Sequence, residues 1–160
     1  MTTDGKQSAP ATSDAELKTA LDAFEKALLT PIIAGDLGVW FEHLQLTANE
    51  AADKLNRELT QFHTEEYDEI GNQDPELLSQ IDRLKEEDCA ILEAFEKFRQ
   101  TLTRAAEQSP KLEPDEDKAT RLTRALINEG VMLLARIRKQ ELTLQTWYAE
   151  AFTRDRGPVD

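Results

Sequence analysis

The segment from Leu77 to Leu102 constrains this chain more than any other. Leu77, Ile81, Leu84, Asp88, Ile91, Phe95, Phe98 and Leu102 follow one another at steps of 4-3-4-3-4-3-4. Because an α-helix turns every ~3.6 residues, that spacing returns every member to one face. A strand would scatter the same residues over both of its faces. Asp74-Pro75-Glu76 opens the segment with an N-cap, a proline at the first helical position and an acid that complements the helix dipole. The helix is predicted to continue to about Glu107, a length on the order of 50 Å at ~1.5 Å per residue.

A long helix with one apolar face needs partners, and the chain supplies three more. The first is opened by Ser13-Asp14-Ala15-Glu16, a capping-box pattern, and carries the stripe Leu17, Leu21, Phe24 and Leu28. It is expected to end near Thr30-Pro31, because proline disfavours helical geometry in the residue before it. The second starts between Pro31 and Asp36 and runs to Ile70, with Leu37, Trp40, Leu44, Ala48, Ala51, Leu55, Leu59 and Phe62 on its apolar face. Gly71-Asn72 reads as its stop. Residues 109–117, SPKLEPDED, read as a loop with two prolines. The fourth runs from about Pro114 to Thr153 with two adjacent stripes. One is Ile127, Leu134, Ile137, Leu144 and Tyr148; the other is Leu122, Leu126, Leu133 and Trp147, interrupted by polar residues.

Strand-like alternation is absent, and most of the six glycines and six prolines fall between the periodic segments. Short connections between long helices favour antiparallel neighbours, which predicts an all-α, up-down-up-down four-helix bundle. The alternative is a pair of helical hairpins that dimerise. The first helix is shorter than the others and leaves part of them under-covered, so a homodimer is one expected arrangement. The expected organisation is a disordered N-terminal tail over residues 1–12, a bundle domain over 13–155 and a C-terminal tail over 156–160.

A chain of 160 residues can bury a real core as one domain. Its formal net charge of −13 repels nucleic acid and anionic membrane surfaces and favours cationic partners or metal ions. The lone Cys89 cannot form an internal disulfide, which points to a reducing compartment. No run approaches the ~18 apolar residues of a membrane span. Residues 1–14 lack the apolar centre of a signal peptide. Together these features predict a cytoplasmic protein.

Polar residues break the stripes at informative places. Asp88 falls mid-helix on an otherwise apolar face, where a carboxylate needs a partner or a raised pKa. Glu129, Arg136 and Gln140 share a face with Leu126, Leu133 and Trp147. Gln61 and Glu65 are one turn apart, and His63 and Glu66 are three apart and lie beside Leu59 and Phe62. If the bundle closes, these groups could meet at one depth in the core. His43 reads as a surface residue, and Cys89 as a packed small residue rather than a nucleophile. No phosphate-binding glycine loop, nucleophile elbow or Ser/His/Asp arrangement is visible.

QFHTEE over 61–66, PELLSQIDRLKEEDCAIL over 75–92 and RIRKQE over 136–141 resemble the motif helices of the hemerythrin-like (HHE cation-binding) domain. That family is a histidine-rich four-helix bundle that holds a non-haem di-iron centre. Its second helix carries His-Phe-x-x-Glu-Glu, its third Leu-x-x-Glu-His and its fourth His-x-x-x-Glu. The resemblance implies that Gln61 stands where the family has histidine and that Glu65 keeps the bridging carboxylate. It further implies that Asp88 replaces the third-helix histidine, Arg136 the fourth-helix histidine and Gln140 the second carboxylate.

The chain contains no Glu-x-x-His of the kind that builds such centres. A guanidinium at a ligand position repels metal and pairs with carboxylates instead. The expectation is therefore a self-neutralising core cluster of Gln61, Glu65, Asp88, Arg136 and Gln140, with Arg136 in place of the metal charge. The protein would then need no cofactor and would work as a non-enzymatic binding, scaffold or sensing module with an unidentified protein partner. The alternative is a divergent metal-binding protein that holds iron or manganese through His63, Glu66 and Asp88, if the second helix is rotated from the family register.

Overall fold

The computed structural model describes residues 9–153, with side chains from residue 15 onward, and every regular element among them is helical. The order is α1 (Ala9–Leu29), α2 (Leu37–Arg57), a π-helical turn (Glu58–Phe62), α3 (His63–Gln73), a 3-10 turn (Pro75–Leu77), α4 (Leu78–Glu107), α5 (Ser109–Leu112) and α6 (Glu116–Thr153).

Helix α1 is already helical at Ala9, so the Ser13-Asp14 pattern lies inside it and does not begin it. Pro10 suits a first helical turn, where its missing N–H costs nothing. Of the expected N-terminal tail, Ala9–Thr12 are thus helical and residues 1–8 lie outside the described residues, as do 156–160 of the expected C-terminal tail. The helix ends at Leu29, before Thr30-Pro31, as the proline requires. The chain then turns through Gly35, whose φ of 89° is the left-handed conformation that glycine adopts without strain.

The expected second helix is one continuous rod from Leu37 to Gln73, interrupted only by the π turn. There the His63 amide donates to the Glu58 carbonyl, a bond to the fifth residue back. The rod does not stop at Gly71-Asn72. It passes through both and ends where Asp74 adopts an extended conformation, φ −141° and ψ 89°, before Pro75. The Asp74 side chain then accepts the Glu76 amide at 3.2 Å and starts the next helix, as Asp74-Pro75-Glu76 predicts. The stretch expected as a loop over 109–117 contains the short helix α5, which buries Leu112.

Helix α1 packs on α2 and α6, α4 packs on the same two, and α3 continues along α6 and α4. Two apolar clusters result. The larger joins α1, α2, α4 and α6 around Phe24, Phe41, Phe95 and Phe98, with Phe24 5.6 Å from each of the last two rings. The smaller joins α3, α4 and α6 through Tyr67, Ile70, Ile81, Leu84 and Leu144. The described α1 side chains in the core belong only to the larger cluster. On all three long rods the residue between the two clusters is polar: His63 between Leu59 and Tyr67, Asp88 between Leu84 and Ile91, Gln140 between Ile137 and Leu144. Among the described residues no helix is long and apolar enough to cross a membrane.

Candidate functional site

That polar layer is the candidate site. His63 is fully buried and both of its ring nitrogens are engaged. Nδ1 lies 3.0 Å from Asp88 Oδ2, and Nε2 lies 2.5 Å from Glu141 Oε1. A second carboxyl oxygen, Glu58 Oε1, is 3.9 Å from Nε2. Asp88 is held on every side. It accepts the Tyr67 hydroxyl at 2.7 Å on Oδ2 and the Gln140 amide at 2.8 Å on Oδ1. Gln140 also donates to the Leu84 carbonyl at 2.8 Å, which ties α6 to α4 at this level.

The π turn explains how the second rod presents these groups. In a regular helix His63 would sit ~80° around the axis from Leu55, eight residues earlier, at ~100° per residue. The extra residue of the π turn absorbs about one such step. Leu55, Glu58, Leu59 and His63 are all buried as a result.

Burial by itself would push the His63 pKa down. Hydrogen bonds to Asp88 and Glu141, and the charges of both, outweigh it and hold His63 up to about 10. At neutral pH the ring is therefore an imidazolium between two carboxylates. Tyr67 is pushed up by burial and by the Asp88 carboxylate beside it, so its hydroxyl stays a donor.

The expected five-residue cluster assembles only in part. Asp88 and Gln140 meet as described. Gln61 and Glu65 are exposed: Gln61 lies ~120° from Leu55 even on a regular helix, and the π turn carries Glu65 further from the core face. Arg136 is only half-buried and forms a two-pronged pair with Glu87, one residue before Asp88. The cation in the core is therefore His63, where Arg136 was expected. In the alternative set, His63 and Asp88 are in contact, and Glu58 and Glu141 stand beside them where Glu66 was expected. Cys89 is exposed rather than packed, and Glu129 is also exposed.

Glu58 and Glu141 carry no stripe signal. Glu58 adjoins Leu59, and Glu141 adjoins Gln140 on the polar flank of α6. The one clue is that Ala51, Leu55, Leu59 and Tyr67 fall at multiples of four along the second rod, with His63 in the gap. Asp88 and Gln140 could be found because both interrupt apolar periodicity at buried positions.

No family model, curated protein or solved structure matches this chain. A dinuclear iron centre does not fit the site: His63 is the one histidine in the layer, and Gln61, Glu65 and Arg136 stand apart from it.

Proposed function

We propose that this chain is an up-down-up-down four-helix bundle of the hemerythrin-like kind, without a dinuclear iron site, acting as a non-enzymatic binding, scaffold or sensing module in the cytoplasm. One observation carries this reading: the core's cation is a side chain of the protein itself. His63 spans Asp88 on α4 and Glu141 on α6, where the resemblance would have two metal ions. The antiparallel order is supported by the connections of only a few residues between Leu29 and Leu37 and between Gln73 and Leu78.

The test is to offer the full chain two equivalents of Fe(II) under argon and then admit oxygen. The expected result is no oxygen uptake and no near-ultraviolet absorption of a di-iron centre. Two irons per chain with oxygen consumption would overturn the proposal.

A further inference from the structure

We infer that Glu58, His63 and Glu141 form a site for a single divalent first-row metal ion, with Asp88, Tyr67 and Gln140 orienting the histidine. The inference rests on the absence of a dinuclear centre proposed above, and names the ligand of the same polar layer.

The first support is geometry. Glu58, His63 and Glu141 each offer one donor atom, and these atoms lie within 4.8 Å of one another. Metal–nitrogen and metal–oxygen bonds of ~2.0–2.1 Å at tetrahedral angles place ligand atoms about 3.3 Å apart. His63 Nε2 is 2.5 Å from Glu141 Oε1 and 3.9 Å from Glu58 Oε1. The first must open and the second close, each by less than ~1 Å, and the third, between Glu58 and Glu141, is no more than 4.8 Å; side-chain torsions supply shifts of this size without moving a helix.

The second support is the neighbour of the histidine. A metal-bound imidazole characteristically donates its other N–H to a carboxylate, which fixes its tautomer and ring plane. Asp88 accepts from Nδ1 here and Nε2 faces the two glutamates, so an ion bound there takes the place of the Nε2 proton, which is released to solvent. Tyr67 and Gln140 in turn fix Asp88 from both of its oxygens.

The third support is access. His63 is sealed, but the Glu141 side chain is 17% exposed and lines a groove of about 410 Å³ between α1 and α6. Leu17, Leu21 and Leu142 wall the groove, and Arg138 stands at its side. An ion has a path to Glu141, and water can complete its coordination from the same direction.

The donor set limits the ion. One imidazole and two carboxylates suit Zn(II), Fe(II) or Mn(II), and lack the sulfur that Cu(I) prefers. Ca(II) wants six or more oxygens, which this layer does not offer. Affinity should follow Zn(II) over Fe(II) over Mn(II).

The test is equilibrium dialysis of chelator-treated full-length protein against Zn(II), Mn(II) and, without oxygen, Fe(II), with thermal melting in parallel. The expected result is one ion per chain and a raised melting temperature. Glu58→Gln and Glu141→Gln should each weaken binding at least tenfold, Asp88→Asn about 10–100-fold, and the exposed Glu129→Gln not at all. Co(II) gives a second reading: its visible spectrum should change in Glu58→Gln protein that still melts cooperatively. Absence of bound metal would overturn this inference and leave the proposed function standing. Binding that ignores both glutamate substitutions would overturn it as well. Two irons with oxygen uptake would overturn the proposed function too.

Discussion

His63 Nδ1 lies 3.0 Å from Asp88 Oδ2, and neither residue is more than 5% exposed. The pair joins the second rod to α4 at the one level where the apolar core is interrupted. A charged pair taken out of water does not by itself add much stability, since desolvation offsets the attraction. Removing one partner is a different matter, because the other is left buried and unpaired. The pair is thus a register lock: sliding either helix by one turn separates His63 from Asp88.

Asp88→Ala should therefore lower stability by about 3–5 kcal/mol, read as a shift in urea midpoint at unchanged slope. Tyr67→Phe, which removes one donor to the same carboxylate, should cost about 1.5–3 kcal/mol. Arg136→Met should change stability by no more than about 1 kcal/mol, because the Arg136–Glu87 pair is roughly 40% and 35% exposed and solvent screens it. An Arg136→Met cost equal to that of Asp88→Ala would return the arginine to the centre of the cluster.

The charged state of His63 predicts a pH dependence in metal-free protein. An unfolded histidine titrates near ~6.5, and His63 in the fold is held up to about 10. The folded state thus binds the proton more tightly. The stability this supplies is complete below ~6.5 and is lost as pH rises towards the folded value. Urea midpoints should fall between about pH 7 and about pH 9, where few other side chains titrate. The same series on His63→Gln should be flatter. Imidazole carbon shifts at pH 8 should report a charged ring; a neutral one would refute the assignment.

The helices were legible because their signals are local and redundant. The stripe from Leu77 to Leu102 identifies α4, and Asp74-Pro75-Glu76 marks the 3-10 turn that leads into it, three residues ahead of Leu78. The polar layer was half legible. Asp88 and Gln140 announce themselves by interrupting apolar faces, but which groups meet them depends on the rotation of the neighbouring rod. That rotation is set by the π turn: regular helical geometry carried past Leu55 leaves His63 ~80° away, on the edge of the core face, while Gln61 is brought to the cluster by the family resemblance alone. Buried positions at 51, 55, 59, 63 and 67 step by four throughout, which a regular helix cannot keep on one face for four turns. Arg136 lies outside the layer for a different reason. Its flexible side chain reaches Glu87 at the surface, where a charge keeps part of its hydration.

Gly130 makes a separate prediction about α1. A Cβ there would lie 2.7 Å from Leu28 Cδ1 and 2.8 Å from Cδ2, and Leu28 is fully buried. Alanine should gain roughly 1 kcal/mol of helix propensity, but the overlap should cost about 1–3 kcal/mol. Gly130→Ala is expected to lower the melting temperature on balance. Adding Leu28→Ala should cost less in the Gly130→Ala background than in wild type, because the new methyl fills part of the space vacated. A double-mutant cycle with zero coupling would show that the two helices are not in contact at this point.

The π turn is the feature whose removal is most informative. It takes up one residue more than a regular helix needs between Leu55 and His63, so a shortened chain could run straight through. Thr60 lies in the turn and is exposed. Deleting it should leave the faces before and after the turn aligned, with cooperative melting close to wild type. Asp53 is equally exposed but lies in the regular part of α2. Deleting it rotates the start of α2 by ~100° against the rest of the rod, taking Leu37, Trp40, Leu44 and Ala48 off the core. That protein should lose its cooperative transition, as burial of several large side chains at ~1.5–3 kcal/mol each is forfeited. Thermal melts of the two deletions side by side decide the matter: equal damage would mean that the turn is fixed by its own sequence and does not merely absorb an extra residue.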